Sequence, residues 1–437
     1  MTEVGYHPLA ELSDQSRKIT YGIVQPGKLH DEGVPIVRVN NFRGNSLDLT
    51  DRLAVAPDIE KKYQRSRPKT GDLLVSLVGS IGQVALAPSE IEGWNLARAV
   101  GLVPFDDIKK ARWAYFALQT AASQQFIQAH ANTTVQATFN LKDLARIPIP
   151  SFEGKAQEEA LTALMLLEDK IELNRRMNET LEAMARAVFR DWFVDFGPTR
   201  RKAAGETDPV AVLGGLLLAP EKSASLAALF PDSLGDQGLP SGWKPATLSG
   251  IAELNPESWT ARRHPHEVEY VDLANTKWGV IESTAQYRWS DAPSRARRVA
   301  RIGDTIVGTV RPGNGSFSFV GRDGLTVSTG FAVLRPRQED WQSLVYCAAT
   351  DRTNIERLAY LADGGAYPAI RPDVVLDTPF PDVNAVLYSE FGKVTNALFE
   401  LIESYKRENE TLAATRDLLL PKLMSGQIRL TDAEGAA

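Results

Sequence analysis

The tetrapeptide Asn-Glu-Thr-Leu stands at 178–181 and again at 409–412, 231 residues later. One such match in a chain of this length is close to an even bet, so it constrains the fold only if more agreements share its offset. They do. Pro148 and Pro150 match Pro379 and Pro381, Ile171-Glu172 matches Ile402-Glu403, and Arg175-Arg176 matches Lys406-Arg407. Upstream the offset drifts to 232, where Gly71-Asp72 meets Gly303-Asp304 and Val78 meets Val310. The chain is therefore a tandem duplication of one unit, and whatever one half folds into, the other must fold into as well.

Each unit has a strand-like part followed by one long helix. The first part carries Gly/Pro punctuation and short β-branched runs such as GDLLVSLVG and GLTVSTGFAVL. The second part has apolar residues at seven-residue spacing. Leu164, Ile171, Asn178, Ala185 and Trp192 form one row, and Leu167, Asn174, Leu181 and Val188 the other. The second copy reads Thr395, Ile402, Asn409, Arg416 and Leu423, beside Leu398, Tyr405, Leu412 and Leu419. The expected fold class is α+β: a tandem pair of β-rich domains, each followed by a long helix. The two helices are expected to pack as an antiparallel coiled coil with pseudo-two-fold symmetry. The seam then comprises Leu164, Ile171, Asn178, Leu181, Val188, Ile402, Asn409, Leu412 and Leu419, with Asn178 meeting Asn409 as a polar pair that sets register. Ordinary core packing of the two helices is the alternative. The segments expected are a first domain over 1–152, a helix over 153–196, a connector over 197–238, a second domain over 239–384, a helix over 385–426 and a tail over 427–437. A helix of about 36 residues is ~54 Å long, and two like domains held apart on such a rod suit a duplex whose half-sites lie about one turn apart.

Composition narrows the function. One cysteine, Cys347, leaves no internal disulfide or multi-cysteine zinc site and fits a reducing, cytoplasmic setting. The amino terminus lacks the basic-then-apolar pattern of a signal peptide, and the apolar stretch 211–220 is too short to span a bilayer. The net charge of −6 divides as +2 over 1–150, −4 over 151–235, −2 over 236–382 and −2 over 383–437. A nucleic-acid surface must therefore be local. No phosphate loop of the GxxxxGK[ST] form is present, and NPES at 255–258 lacks the second proline and the aromatic of an adenine methyltransferase pocket. Asp58, Glu60 and Lys62 offer only a superficial nuclease constellation, because the carboxylates are too close in sequence to come from separate strands. His264 and His266 have no obvious third metal ligand, so neither a metal site nor a catalytic residue is assigned.

Basic residues give the better signal. KKYQRSRPK at 61–69 and SRARRVAR at 294–301 precede the two Gly-Asp pairs, so Arg65 meets Arg297 and Lys69 meets Arg301. Such clusters suit phosphates on two half-sites, and solvated loop charges are the plainer reading. Two loop pairs, 79–82 with 311–316 and 132–140 with 364–371, carry residue types that reach base edges. Gln136, Asn140, Arg311, Asn314, Tyr367 and Arg371 are the candidates, although loops of this composition are also simply turns.

These features together resemble the DNA-specificity subunit of type I restriction–modification enzymes. The resemblance rests on GDLLVSLVGSIGQVAL (71–86), NLKDLARIPIPSFEGKAQEEALTALMLLEDKIELN (140–174), FRDWFVDFGP (189–198), LFPDSLGDQGLPSGWK (229–244) and LLLPKLMSGQIRL (418–430), in that order. It implies two target-recognition domains spaced by the paired helices and reading double-stranded DNA with a bipartite target. It implies two adenine-N6 methyltransferase subunits as partners, and a translocase–nuclease subunit joining for restriction. The chain itself would do no chemistry and bind no cofactor, while the partner subunits use S-adenosylmethionine, ATP and Mg. The second copy's RPGNGSFSFVG differs from the first's VGSIGQVALA, so two different half-sites are expected. SFEGKAQEEA lacks the usual Pro-x-x-Glu-Gln wording. A coiled-coil scaffold that binds only protein and a nuclease using Asp58, Glu60 and Lys62 are the competing functions.

Overall fold

The computed structural model describes residues 5–28, 30, 32–133, 137–216, 219–365 and 367–430. It divides into two compact units, and the division does not follow the repeat. The first unit is Met1–Glu172 with Asn409–Ala437, and the second is Leu173–Glu408. Both cuts fall inside the long helices, Lys155–Phe189 and Ala385–Met424.

Within the first unit, a four-stranded antiparallel sheet has the order Thr20–Tyr21, Val100–Val103, Leu73–Ser76, Val84–Leu86. A three-stranded sheet places Val34–Val37 between Leu53–Val55 and Asn95–Leu96. Tyr6–Pro8 pairs with Pro148–Pro150, which brings the ends of the domain together. The buried strand Leu73–Ser76 explains the continuous apolar run LLVS, since both of its faces are covered. Helix Ile108–Gln119 lies over the core, and its Trp113 is fully buried with the indole N–H donating to the Pro150 carbonyl at 2.7 Å.

The second unit repeats the plan. Ala252–Leu254, Phe331–Pro336, Thr305–Gly308 and Phe317–Phe319 form a four-stranded sheet in the same order. Lys244–Thr247 pairs with Pro379–Asp382 as the domain's closing strands. A further four-stranded sheet orders Ala285–Arg288, Glu267–Val271, Leu325–Ser328 and Ala296–Ala300. The duplication seen in the sequence is a duplication of topology.

The Gly-Asp pair shared by the copies is a structural turn. Gly71 and Gly303 have φ of 87° and 84°, a conformation that costs glycine little. The buried carboxylates of Asp72 and Asp304 then accept the backbone N–H of Lys69 and Arg301, each at 2.8 Å. Asp72 is also held by both terminal nitrogens of Arg17, and Asp304 by Nε and Nη2 of Arg335. A buried carboxylate is tolerated only when paired in this way.

Each unit contains stretches of both helices, and the pairing within each runs antiparallel. In the first unit, Glu168 meets Arg416 at 2.6 Å and the Ile171 carbonyl accepts from Asn409 at 3.2 Å. In the second, the buried Asn174 donates to Glu408 at 2.8 Å. Leu164 and Ile171 are buried and Leu419 packs on the core of the first unit, where Leu412 is half-buried. Leu181 and Ile402 are buried in the core of the second, with Val188 packed against it. The polar register pair differs from the one expected. The Asn409 amide goes to a backbone carbonyl, while the buried Asn178 Oδ1 has no hydrogen-bond partner among the described residues. Asn174, one heptad row away from the asparagine shared by the copies, has the buried amide instead.

The helix ends complete domain cores. Leu420, Leu423 and Met424 of the second helix lie in the core of the first unit with Leu73, Trp113 and Phe116. Leu181, Ala185 and Phe189 of the first helix lie in the core of the second unit with Phe317, Tyr346 and Phe391. Each domain core is thus shared by the start of its own helix and the end of the helix that follows the other copy. The connector over 197–238 includes helices Gly197–Ala203, Pro209–Val212 and Pro220–Ala227, with Arg201 clamped on Asp191 by two bonds of 2.9 and 2.6 Å.

Candidate nucleic-acid interface

The central hairpin of each domain has a closed end and an open end, and the candidate residues divide between them. At the closed end of the second domain, Thr309 and Arg311 face the segment 368–370. Ile370 N–H donates to Thr309 O at 2.9 Å and Arg311 N–H to Pro368 O at 2.7 Å. The first domain has the same ladder at the equivalent places: Phe139 N–H to Leu77 O at 2.8 Å and Gly79 N–H to Ala137 O at 3.1 Å. Within each domain, one loop from each of the two sequence-matched pairs therefore lies beside the other, 79 by 137 and 311 by 368, joined alike in both copies.

In the second domain this end is exposed, aromatic and strained. Arg311 and Trp278 have φ of 47° and 46°, in the left-handed region that non-glycine residues rarely occupy. Backbone strain of this kind costs about 1–3 kcal/mol per residue and collects at functional sites. The Arg311 guanidinium lies 4.7 Å from the Tyr367 ring centroid. Tyr367 is 71% exposed, Tyr360 89% and Trp278 55%. Trp278 stands edge-on to Phe317 and lies against Gly315, where a Cβ would come within 2.5 Å of the indole, so only glycine fits. Asn314 is exposed on the turn Pro312–Asn314, and Arg371 is exposed and paired with Asp373 at 2.8 Å. In the first domain Asn140 caps helix Leu141–Ala145, its Oδ1 accepting from Asp143 N–H at 2.9 Å, so its side chain is occupied by the fold. Gln136 lies outside the described residues.

The open ends do not match each other, contrary to the equivalence the sequence implies. In the first domain Arg65 and Lys69 are exposed on a groove of about 1050 Å³, together with Lys18, Tyr21 and Thr70. In the second, Arg301 is committed to Glu257 by bonds of 3.1 and 2.8 Å, and Arg335 reaches the same carboxylate at 2.5 Å. The hydrogen bonds of Arg301 and Arg335 hold the Glu257 carboxyl down at about 2. Arg297 is stacked on Trp289 at 4.4 Å, with His264 on the same indole at 4.5 Å. An arginine already bound to a carboxylate offers little to a phosphate.

The suggested nuclease residues are engaged elsewhere. Glu60 is buried and held by Arg67 through two bonds of 2.6 Å, with Asn95 donating at 2.8 Å. Asp58 is exposed on the same short helix, Pro57–Glu60, and Lys62 on the 3-10 helix Lys61–Ser66 that follows it. Among the described residues no group of three or more His, Cys, Asp or Glu is placed to hold a metal ion, and no helix is long and apolar enough to cross a membrane.

Comparison with known proteins bears on what such paired domains do. Residues 20–183 match the model of the type I restriction modification DNA specificity domain. The chain is 24% identical over 343 residues to the type I restriction enzyme HindI specificity subunit of Haemophilus influenzae, covering 69% of this chain and 73% of that protein. It is 28% identical over 191 residues to the EcoBI specificity subunit of Escherichia coli, a match that spans only 40% of that protein and 42% of this chain. Over residues 20–183 the chain is thus similar to the type I restriction modification DNA specificity domain, and beyond them it resembles specificity subunits. In solved structures its fold is similar to that of a type I restriction–modification S subunit from M. genitalium, with a TM-score of 0.50, 17% identity and 97% of both chains covered.

The motifs that carry the resemblance to specificity subunits turn out to be packing motifs. Phe193 of FRDWFVDFGP meets Trp243 of LPSGWK at 6.1 Å, and Trp192 meets Phe230 of LFPDS at 5.3 Å. LLLPKLM supplies Leu420, Leu423 and Met424 to the first unit's core. Trp278, Tyr360 and Lys18 were not anticipated. Nothing in TKWGV distinguishes an exposed tryptophan from a buried one, and nothing in the Arg-Lys pair at 17–18 says that it joins the basic run 61–69 on one groove.

Proposed function

We infer that this chain is the sequence-reading subunit of a type I restriction–modification complex, recognising a bipartite DNA target and directing adenine-N6 methylation and restriction by partner subunits. The observation that carries the reading is the repeated closed-end loop pair, joined by the same two backbone bonds in both domains. Two copies of one scaffold with different loop residues are what two different half-sites require. Arg311, Asn314, Tyr367 and Trp278 at one of these ends combine groups suited to base edges with exposed rings suited to close contact with DNA.

The chemistry belongs to the partners in this reading. Methyltransferase subunits would bring S-adenosylmethionine and flip the adenine out of the stack, since its N6 is out of reach within the duplex. ATP and Mg would serve the translocase–nuclease subunit. Leu173, Met177 and Met184 form an exposed apolar row at helical spacing on the first long helix, which suits a partner helix. The complex would work in the cytoplasm, where its DNA is. A protein-only scaffold would leave the strained, exposed closed end of the second domain without a purpose.

The test is a genome-wide map of N6-methyladenine with and without the gene, in a host that carries the partner genes. Loss of a single split motif, two short half-sites around a fixed gap, is the expected result. An unchanged map with all partners expressed would overturn the reading.

A further inference from the structure

The two domains differ most where their sequences looked alike, at the open end of the central hairpin. The first domain's groove is lined by Arg17, Lys18, Arg65, Arg67 and Lys69 against a single carboxylate, Glu92. Arg17 is neutralised by Asp72 and Arg67 by Glu60. Lys18, Arg65 and Lys69 remain, all exposed, with no hydrogen bond or ion pair from their side chains among the described residues. The corresponding recess of the second domain is about 460 Å³, and its charge is reversed: Arg301 and Arg335 against Glu257, Asp304 and Glu339. Its arginines are locked in ion pairs with the first two of these carboxylates.

We propose that the open-end groove of the first domain is a backbone-phosphate site, with Lys18, Arg65 and Lys69 as its cations, and that the second domain has none. This rests on the DNA-reading function inferred above and adds an asymmetry to it: one half-site is held by charge at the open end of the hairpin as well as by its reading loops, the other by its reading loops alone. The groove favours a polyanion strand over a small anion. Its cations are spread over two chain segments, 18 and 65–69, along an open cleft, and the buried polar residue in its lining is Thr20, a neutral side chain. Tyr21, 42% exposed on the wall, offers a flat face beside them.

The test uses the full chain and a short duplex of arbitrary sequence, because sequence-independent binding is mostly counterion release. Each phosphate contact adds about 0.9 to the slope of log K against log salt concentration. R65A/K69A is expected to lower that slope by about 2, and R301A/R335K to leave it as in the wild type. An unchanged slope in R65A/K69A, with normal wild-type binding, overturns the groove proposal alone. Absence of any salt-dependent binding by the wild type would instead sink the DNA-reading function. Should R65A/K69A keep the slope but lose co-purification with a methyltransferase subunit, the groove holds an acidic protein surface and the proposal is wrong.

Discussion

Arg311 concentrates the functional argument at the residue scale. Its backbone sits at φ 47°, where glycine would be relaxed, and its guanidinium stacks on an exposed tyrosine. Glycine there would relieve about 1 kcal/mol of strain and forfeit a surface cation–π contact of about the same size. R311G should therefore leave the melting temperature nearly unchanged while relaxing the methylated motif in the half-site read by the second domain only. Relaxation in both half-sites, or in neither, would remove Arg311 from recognition. Glu257 makes the contrasting case of a charged residue spent on the fold. Its carboxyl titrates at about 2 when folded, below the usual value of 4.5, because Arg301 and Arg335 bond to the ionised form. A depressed carboxyl stabilises above its unfolded pKa, and that stabilisation is lost as pH falls through the folded value. E257Q should accordingly be less stable than wild type near pH 7, with the gap closing between about pH 4 and 2 in denaturant titrations. Asp304, on the other side of Arg335, is pushed upward by burial, so its contribution has the opposite sign, and it is present in both wild type and variant.

The long helices act at the element scale as shared walls of two cores. Leu181 is buried in the second unit and Leu420 in the first, although each belongs to the helix of the opposite copy. An aspartate at either site costs about 3 kcal/mol or more, through lost packing and a buried charge. The lone thiol reports which unit opens. Cys347 is buried in the second unit and burial pushes its pKa up to about 12, so it reacts only when that unit unfolds locally. L181D should speed thiol labelling of Cys347, and L420D should not. The reverse pattern would mean that each helix completes its own domain after all.

Modularity is a question for the whole molecule. On the proposed function, exchanging residues 1–150 for the first domain of a specificity subunit should change one half-site of the methylated motif and leave the other. The core of the first unit adds a condition, because Leu420, Leu423 and Met424 pack into it, with Ile428 and Leu430 beside them. A graft of 1–150 alone should melt lower than one that also carries 409–430 from the donor, while both keep the second half-site. Equal stability of the two grafts would show that these contacts contribute little.

The sequence by itself determined the duplication, the α+β class and the two long helices. Those properties are written in local patterns: offsets near 231, period-two runs between Gly/Pro turns, and apolar heptads. It also singled out loops that the fold brings side by side in each domain, because Gly, Asn and Arg near matching offsets mark turns that both copies share. The tertiary structure alone decided which helix finishes which domain and which basic residues are open. Heptad spacing says that a helix has an apolar face but not whose core that face joins. Lys69 and Arg301 occupy equivalent positions, yet one lines an open groove and the other is bound by Glu257, 44 residues earlier in the chain. Charge in a sequence is local, whereas its neutralisation depends on partners that only folding brings within 3 Å.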